Sequence, residues 1–412
     1  MRRAVLLALL CFVAAACSGV APRGAETKRT PLILVSIDGF RADYLARGRT
    51  PTLAALAADG VRAEALKPAF PTLTFPNHYT LVTGLYPDHH GIVNNRMTDP
   101  AFEHGFVYTE QVTIDDPRWW GGEPLWVSAE KQGVRSATMF WPGSTVAIAG
   151  VRPTYWKPFD GKVAPDARVD QVLAWLDLPV ARRPRFLTLY FEQVDHEGHE
   201  HGPESAEVDA ALADVDAAIA RLVDGLRARG RLDAADLVVV SDHGQAATSP
   251  ERRTYLDDIV PLADVDVANY GILAGIEPHP GKTAEIERVL LRPHPHMQCW
   301  RKGEVPARLH YGTHPRIPSL LCLAEHGGNI TSHGYDDKGG HYSPGEHGYD
   351  NDDPAMRALF VARGPDFRRG AVVPEFDNVD VYPLLAKLLG VAPRPNDGDV
   401  AAVAGLLRDG AR

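Results

Sequence analysis

Unbroken apolar runs alternate along the chain with amphipathic ones. LILVSI (32–37), FLTLYFE (186–192) and DLVVVSD (236–242) have strand length and almost no polar interruption. That is the pattern of strands buried on both faces of a parallel sheet. SATMF (136–140) and RALFVARG (357–364) add two shorter candidates. Between them lie helical stretches: TLAALAADGVRAEAL, with Thr50 as N-cap and Pro51 at the first helical position, DARVDQVLAWLDL (166–178), the long segment 204–229 ending at Gly230, and DVYPLLAKLLG (380–390). Strands alternating with helices predict an α/β fold, a mostly parallel central sheet flanked by helices. Residues from about 251 to 345 break the rhythm. They are rich in Pro, Gly and His, with candidate strands in VANYGILAGI and MQCWRK around one helix at 282–291. This stretch is expected to form a small α+β insertion subdomain on the same core.

The first residues are not fold. Arg2 and Arg3 precede AVLLALLCFVAAA and the small residues AAACSG, the layout of a secretory signal over 1–16, too short to span a bilayer. Cys17, after Ala14-Ala15-Ala16, resembles a bacterial lipoprotein box, so an exported, periplasmic chain lipid-anchored through Cys17 is expected, with 17–30 as a tether and 31–412 as the folded domain. No other run of 18 apolar residues occurs, so membrane attachment is expected through that lipid alone. Of the 412 residues, 45% are hydrophobic and 23% charged, which excludes a wholly disordered, collagenous or coiled-coil chain. A net charge of −10 argues against binding nucleic-acid polymers. Cys299 and Cys322 are left as either one disulfide or two buried thiols. With no CxxC in the sequence, any metal site must be built from Asp and His.

The candidate chemistry is positional. Asp38, Asp195 and Asp242 each follow a candidate strand, and in open parallel sheets ligands bind beyond the carboxyl ends of the strands. His199 lies one helical turn after Asp195, His243 follows Asp242 at once, and GEHGYD supplies His347. Three Asp and three His suffice for two metal ions with three protein ligands each, and mixed imidazole and carboxylate favours zinc over magnesium or calcium. In PTLTFPNHYTLVTG, Thr74 stands where a helix starts, beside backbone N–H groups that can receive an anion. Its hydroxyl reads either as a helix cap or as a nucleophile activated by a metal.

Taken in order, SIDGFR, PTLTFPNHYTLVTGLYPDHHGIVNN, MFWPGS, FEQVDHEGHEHGP, VVVSDHG and GEHGYDN make the chain resemble the nucleotide pyrophosphatase/phosphodiesterase family of the alkaline phosphatase superfamily, as a bacterial member. The resemblance covers nearly all of the chain after the leader, and implies an alkaline phosphatase-like core holding two zinc ions. By it, Asp38, Asp242 and His243 hold one zinc that also touches the Thr74 hydroxyl, and Asp195, His199 and His347 hold the other. It makes Thr74 the nucleophile and Asn95 a contact to a phosphoryl oxygen. Phe75 and Tyr190 match aromatic positions of a nucleotide pocket, with Tyr155 and Phe159 as further candidates. The implied reaction is a double displacement: Thr74 attacks phosphorus, and water then hydrolyses the phosphothreonine from the vacated side. The implied partner is a nucleotide, such as ATP cut to AMP, or another small phosphodiester.

Departures matter. TFPNH cannot supply the Cys or Ser that sulfatases convert to an aldehyde. MFWPGS carries no cation for the second charge of a phosphomonoester, and Leu73 stands where some animal members carry Lys. A phospholipid-headgroup phosphodiesterase or an alkaline phosphomonoesterase remains as an alternative, and an inert metal-binding surface lipoprotein as the non-enzymatic one.

Overall fold

Six consecutive residues of the first strand, β1 (Leu32–Ile37), are all buried, because the strand lies at the middle of a sheet covered on both faces. The computed structural model describes residues 30–337 and 342–411, so the expected leader and Cys17 lie outside the described residues. The sheet continues with β2 (Val61–Ala63), β3 (Ser136–Met139), β4 (Tyr155–Trp156), β5 (Phe186–Phe191) and β6 (Asp236–Val240). A second sheet uses β7 (Val265–Asn269), β8 (Leu273–Pro278), β9 (Met297–Arg301) and β10 (Leu320–Ala324), before β11 (Phe360–Arg363) and β12 (Ala371–Val373) return to the first. The main sheet runs β12-β2-β11-β6-β1-β5-β3-β4. β1 is parallel to both β5 and β6, with Ile37 opposite Phe191 and Ser36 opposite Val240, so three carboxyl ends finish at one edge. Only β11 runs antiparallel to its neighbours in this sheet, so the mostly parallel α/β architecture stands as expected.

Side-chain alternation along β1 divides the core in two. Ile33, Val35 and Ile37 meet α1 (Pro51–Asp59), α3 (Pro165–Leu176) and α5 (Ala206–Ala228), which bury Leu53, Val172, Leu212, Ile219 and Leu222. Leu32 and Leu34 face α2 (Thr74–Thr83) and α7 (Val381–Leu389), which contribute Leu81, Val82, Leu384 and Leu385. In chain order α4 (Gln193–His201) lies between α3 and α5, and α6 (Thr283–Leu290) is tied to β9 by Arg301 donating to Glu287 at 2.9 Å. Thr50 is the N-cap of α1 as expected, but its side chain caps nothing: Asp216 of α5 accepts from the backbone N–H of Thr52 and Leu53, both at 2.9 Å. The tertiary contact has replaced the local one.

The four-stranded sheet, β7-β8-β10-β9, is antiparallel throughout, and Cys299 and Cys322, directly opposite on β9 and β10, form a disulfide. VANYGILAGI divides into two strands at Tyr270–Ile272, whereas β10 lacks a counterpart among the expected strands. A short ladder pairing Ala246–Ala247 with Gly345–Glu346 ties the two ends of this excursion together.

A candidate two-metal centre at the carboxyl edge of the sheet

Asp38 follows β1 directly and Asp242 follows β6 by two residues, so both carboxylates emerge at the sheet edge. Asp195 arrives from the first turn of α4. Two glycines make the close approach possible. Gly39 has φ +67°, and a Cβ there would sit 2.8 Å from the Asp195 Cα; a Cβ on Gly198 would run into the Gln245 side-chain amide. Around the Asp carboxylates stand three imidazoles. His199 Nε2 is 3.4 Å and His347 Nε2 3.7 Å from the Asp195 carboxylate, while His243 Nε2 lies 3.0 Å from Asp242 Oδ2 and 3.4 Å from Asp38 Oδ1. Asp195, His199 and His347 offer donor atoms within 4.8 Å of one another, as do Asp38, Asp195 and His243. Asp195 therefore spans both groups. The rings of His243 and His347 stack at 3.6 Å.

The hydrogen bonds assign the imidazole tautomers. Nδ1 of His199, His243 and His347 lies 2.8, 3.0 and 2.8 Å from the carbonyls of Gly345, Gly244 and Thr72. A carbonyl cannot donate, so each Nδ1 carries the hydrogen, and in the neutral ring each Nε2 lone pair points at the centre. Opposite them, Asp38 Oδ1, Asp195 Oδ1 and Asp242 Oδ2 are buried without a hydrogen-bond donor among the described residues. An uncompensated buried carboxylate costs several kcal/mol, so lone pairs facing lone pairs require a cation or protons between them. The donor set fits divalent cations, and His–carbonyl contacts of this kind are what orient metal-binding imidazoles.

Protons on the cation-free chain follow the same crowding. Burial, with Asp242 and Asp195 nearby, raises Asp38 well above the usual carboxylate range. Burial would also raise Asp195 and Asp242, but His199 with His347 overcomes it at Asp195, and His243 with His78 at Asp242, leaving both low. Burial disfavours charge on His199 as well, yet Asp195 and Glu346 lift it to about 10. Burial and the neighbouring His243 push His347 down to about 3.

Thr74 is the first residue of α2, and its side chain caps nothing; its Oγ1 lies 3.3 Å from His243 Nε2. The Phe75 N–H donates to Asn95 Oδ1 at 3.0 Å, which leaves the donor end of that amide for the cavity Asn95 lines. This cavity, about 640 Å³, is walled by Thr74, Phe75, Tyr108, Phe140, Trp141 and Phe159, with Asp38, Asp195, His199 and His347 at its floor. Phe75 packs against Phe106 and Tyr108 at 5.8 Å each. Two expected pocket aromatics stand differently. Tyr155, on β4, stacks on Trp175 and donates to the Arg182 carbonyl, away from the cavity lining. Tyr190 reaches the lining but is 9% exposed, and its hydroxyl donates to Asp38 Oδ2 at 2.6 Å. It braces a carboxylate instead of offering an open face. The sequence reading passed over His78, Glu346 behind His199, and the Arg168–Glu192 pair beside the cavity. Only His78 carried a signal, its four-residue spacing from Thr74. A larger open groove, about 1290 Å³, carries ion pairs along its lining, Arg41 with Asp43 and Arg357 with Glu375.

Residues 32–350 match the family described as type I phosphodiesterase/nucleotide pyrophosphatase. The chain belongs to that family. An uncharacterized pyrophosphatase/phosphodiesterase of Schizosaccharomyces pombe is 38% identical over 91% of this chain and 80% of its own length. Ectonucleotide pyrophosphatase/phosphodiesterase family member 3 of Bos taurus is 38% identical over 92% of this chain and 44% of its own, so the chain spans under half of that family member. Among solved structures, murine ectonucleotide pyrophosphatase/phosphodiesterase 5, as an inactive threonine-to-alanine variant in complex with AMP, superposes with a TM-score of 0.88. It is 32% identical, over 92% of this chain and all of that one. These family members are eukaryotic. No helix among the described residues is long and apolar enough to cross a membrane.

Proposed function

We propose that this family member hydrolyses phosphodiester and pyrophosphate bonds of nucleotides through a covalent threonine intermediate at a two-zinc site. The observation that carries the reading is the Thr74 hydroxyl, free of any capping role, 3.3 Å from His243 at the edge of the unpaired carboxylate oxygens. Asp38, Asp242 and His243, with Thr74, would hold one zinc, and Asp195, His199 and His347 the other. Bound there, the ions supply Lewis-acid charge that lowers the pKa of the threonine hydroxyl and stabilises the departing oxygen.

The chain's own residues do the rest. Asn95 donates its amide N–H to a non-bridging phosphoryl oxygen, aligning phosphorus with Thr74 Oγ1. Oγ1 forms the new P–O bond as the leaving oxygen departs on the opposite side. Water then breaks the phosphothreonine bond in line, regenerating Thr74. Phe75 and Phe159 offer aromatic surface to a nucleobase. Among the described residues the cavity lining includes no Lys or Arg, which favours a diester or internal pyrophosphate over a dianionic monoester. The AMP carried by the murine relative supports a nucleotide as the partner. To the same reading belong export by the 1–16 signal to a periplasmic location, a lipid at Cys17, and the stretch 251–345 as an insertion subdomain.

Two inversions leave the configuration at phosphorus unchanged. A phosphorus-chiral substrate hydrolysed in labelled water by the zinc-loaded protein is expected to give net retention; inversion would eliminate the threonine intermediate. Faster turnover of bis-p-nitrophenyl phosphate than of the monoester is expected, and the opposite ranking would move the chain to the monoesterases.

A further inference from the structure

One helical turn beyond Thr74, His78 is fully buried behind the candidate centre. Its Nδ1 lies 2.9 Å from the Thr74 carbonyl oxygen and 3.2 Å from Asp242 Oδ2, and its Nε2 is 2.9 Å from Ser36 Oγ. A carbonyl accepts only, so Nδ1 carries the hydrogen and the neutral ring's Nε2 accepts from the Ser36 hydroxyl. Nδ1 thus has no lone pair to give. His78 stands close enough to Asp38 and Asp242 to complete a cation site with them, but the tautomer removes it from the ligand set. The ring is held on both sides, edge to face with Trp141 at 5.1 Å and Tyr190 at 5.2 Å, while Trp141 Nε1 donates to the His78 carbonyl at 3.0 Å.

We propose that His78 is a positioning residue whose ring, bonded through Nδ1–H to the Thr74 carbonyl and packed against the Asp242 carboxylate, fixes the nucleophile's turn relative to Asp242. The Nδ1–H donates to the Thr74 carbonyl while the same nitrogen packs 3.2 Å from the Asp242 carboxylate, so one ring holds hydroxyl and metal ligand in a single fixed relation. Ser36, two residues before Asp38 on β1, sets the ring from its far side. The nucleophile, Asp242 and the strand that delivers Asp38 are coupled through one imidazole. The inference rests on the proposed two-ion reading, and adds to it a residue that touches neither ion nor substrate.

Zinc titration against a competing chelator, on wild type and on His78→Leu, His78→Asn and His78→Gln, tests it. The Asn amide nitrogen falls near the position of Nδ1, the Gln amide near Nε2. Wild type is expected to take up two ions. His78→Leu should keep one ion unchanged and bind the other roughly 10–100-fold more weakly, the usual effect of losing a partner behind a ligand. His78→Asn should recover most of that affinity and His78→Gln should not, with kcat falling in the same order and KM little changed. Uptake of fewer than two ions by wild type would overturn the two-ion reading itself, and this inference with it. Two ions in wild type with unchanged affinity in His78→Leu, or equal rescue by Asn and Gln, would overturn the inference alone. Should the Leu variant not fold, the Asn and Gln pair decides by the same criterion.

Discussion

The two halves of the candidate centre are built from different parts of the chain. Asp38, Asp242 and His243 sit at the ends of adjacent parallel strands, at 2%, 0% and 0% exposure, with Tyr190 and His78 packed behind them. Asp195 and His199 stand on a helix with side chains 16% and 27% exposed, and His347 returns from the far end of the excursion that carries the second sheet. The strand-borne half is anchored by the parallel ladders of β1 with β5 and β6. The other half is assembled from a helix and a distant loop, so its geometry depends on elements that must first dock. The comparison predicts a core ion held by a preformed cage and a rim ion that responds to its surroundings.

The largest expected effect falls on the group between the halves. Thr74→Ala should lower turnover by about a thousandfold or more while zinc content stays near two, because in the proposed mechanism the hydroxyl is the attacking atom but only an accessory contact to metal. Activity retained with both ions bound would make water the direct nucleophile. Next, the halves should come apart under mutation. His347→Ala is expected to lose the rim ion and keep the core one, measured as zinc per chain after gel filtration, whereas Asp242→Ala should lose the core ion. Loss of both ions in either variant would mean that the halves do not bind independently.

Removing metal should cost stability. With zinc at about a thousand times its Kd, binding contributes about 4 kcal/mol, so chelation should lower Tm by several degrees. An unchanged Tm would mean that protons satisfy the buried carboxylates as well as cations do.

Two smaller effects concern protons. In the cation-free chain His199 is held protonated up to about pH 10, so zinc entering the rim half must displace that proton. Affinity there should rise with pH through the neutral range, and calorimetry in buffers of different ionisation enthalpy should detect about one proton released. Asp380 supplies a carboxylate without imidazoles around it. Burial, with Asp377 and Asp399 nearby, raises it to about 6. A raised carboxyl favours folding below its unfolded pKa, near 3.8, and that contribution is lost as pH rises through 6. Asp380→Asn keeps an acceptor for the Asp399 N–H and should add under about 1 kcal/mol at pH 7.5 after solvent screening, with no gain at pH 4.

The strand-borne half was also the more legible in the sequence. LILVSI and DLVVVSD carry burial on both faces in their composition, and the acids that end them fall at a sheet edge by topology alone. Asp195 and His199 were readable from helical spacing. His347 had no local signal beyond its GEHGYD context, because the ladder of Ala246–Ala247 with Gly345–Glu346 that delivers it joins distant segments. Tyr155 and Tyr190 show the limit of reading aromatics by type. One is spent on Trp175 and a backbone carbonyl and the other on Asp38, and such commitments depend on neighbours far along the chain.

The stack of His243 on His347 closes a long detour, since the whole antiparallel sheet lies between these two residues. Among the described residues the cavity lining takes nothing from that detour, so its bearing on the centre runs through its two ends, which must be brought back together at the stacked rings.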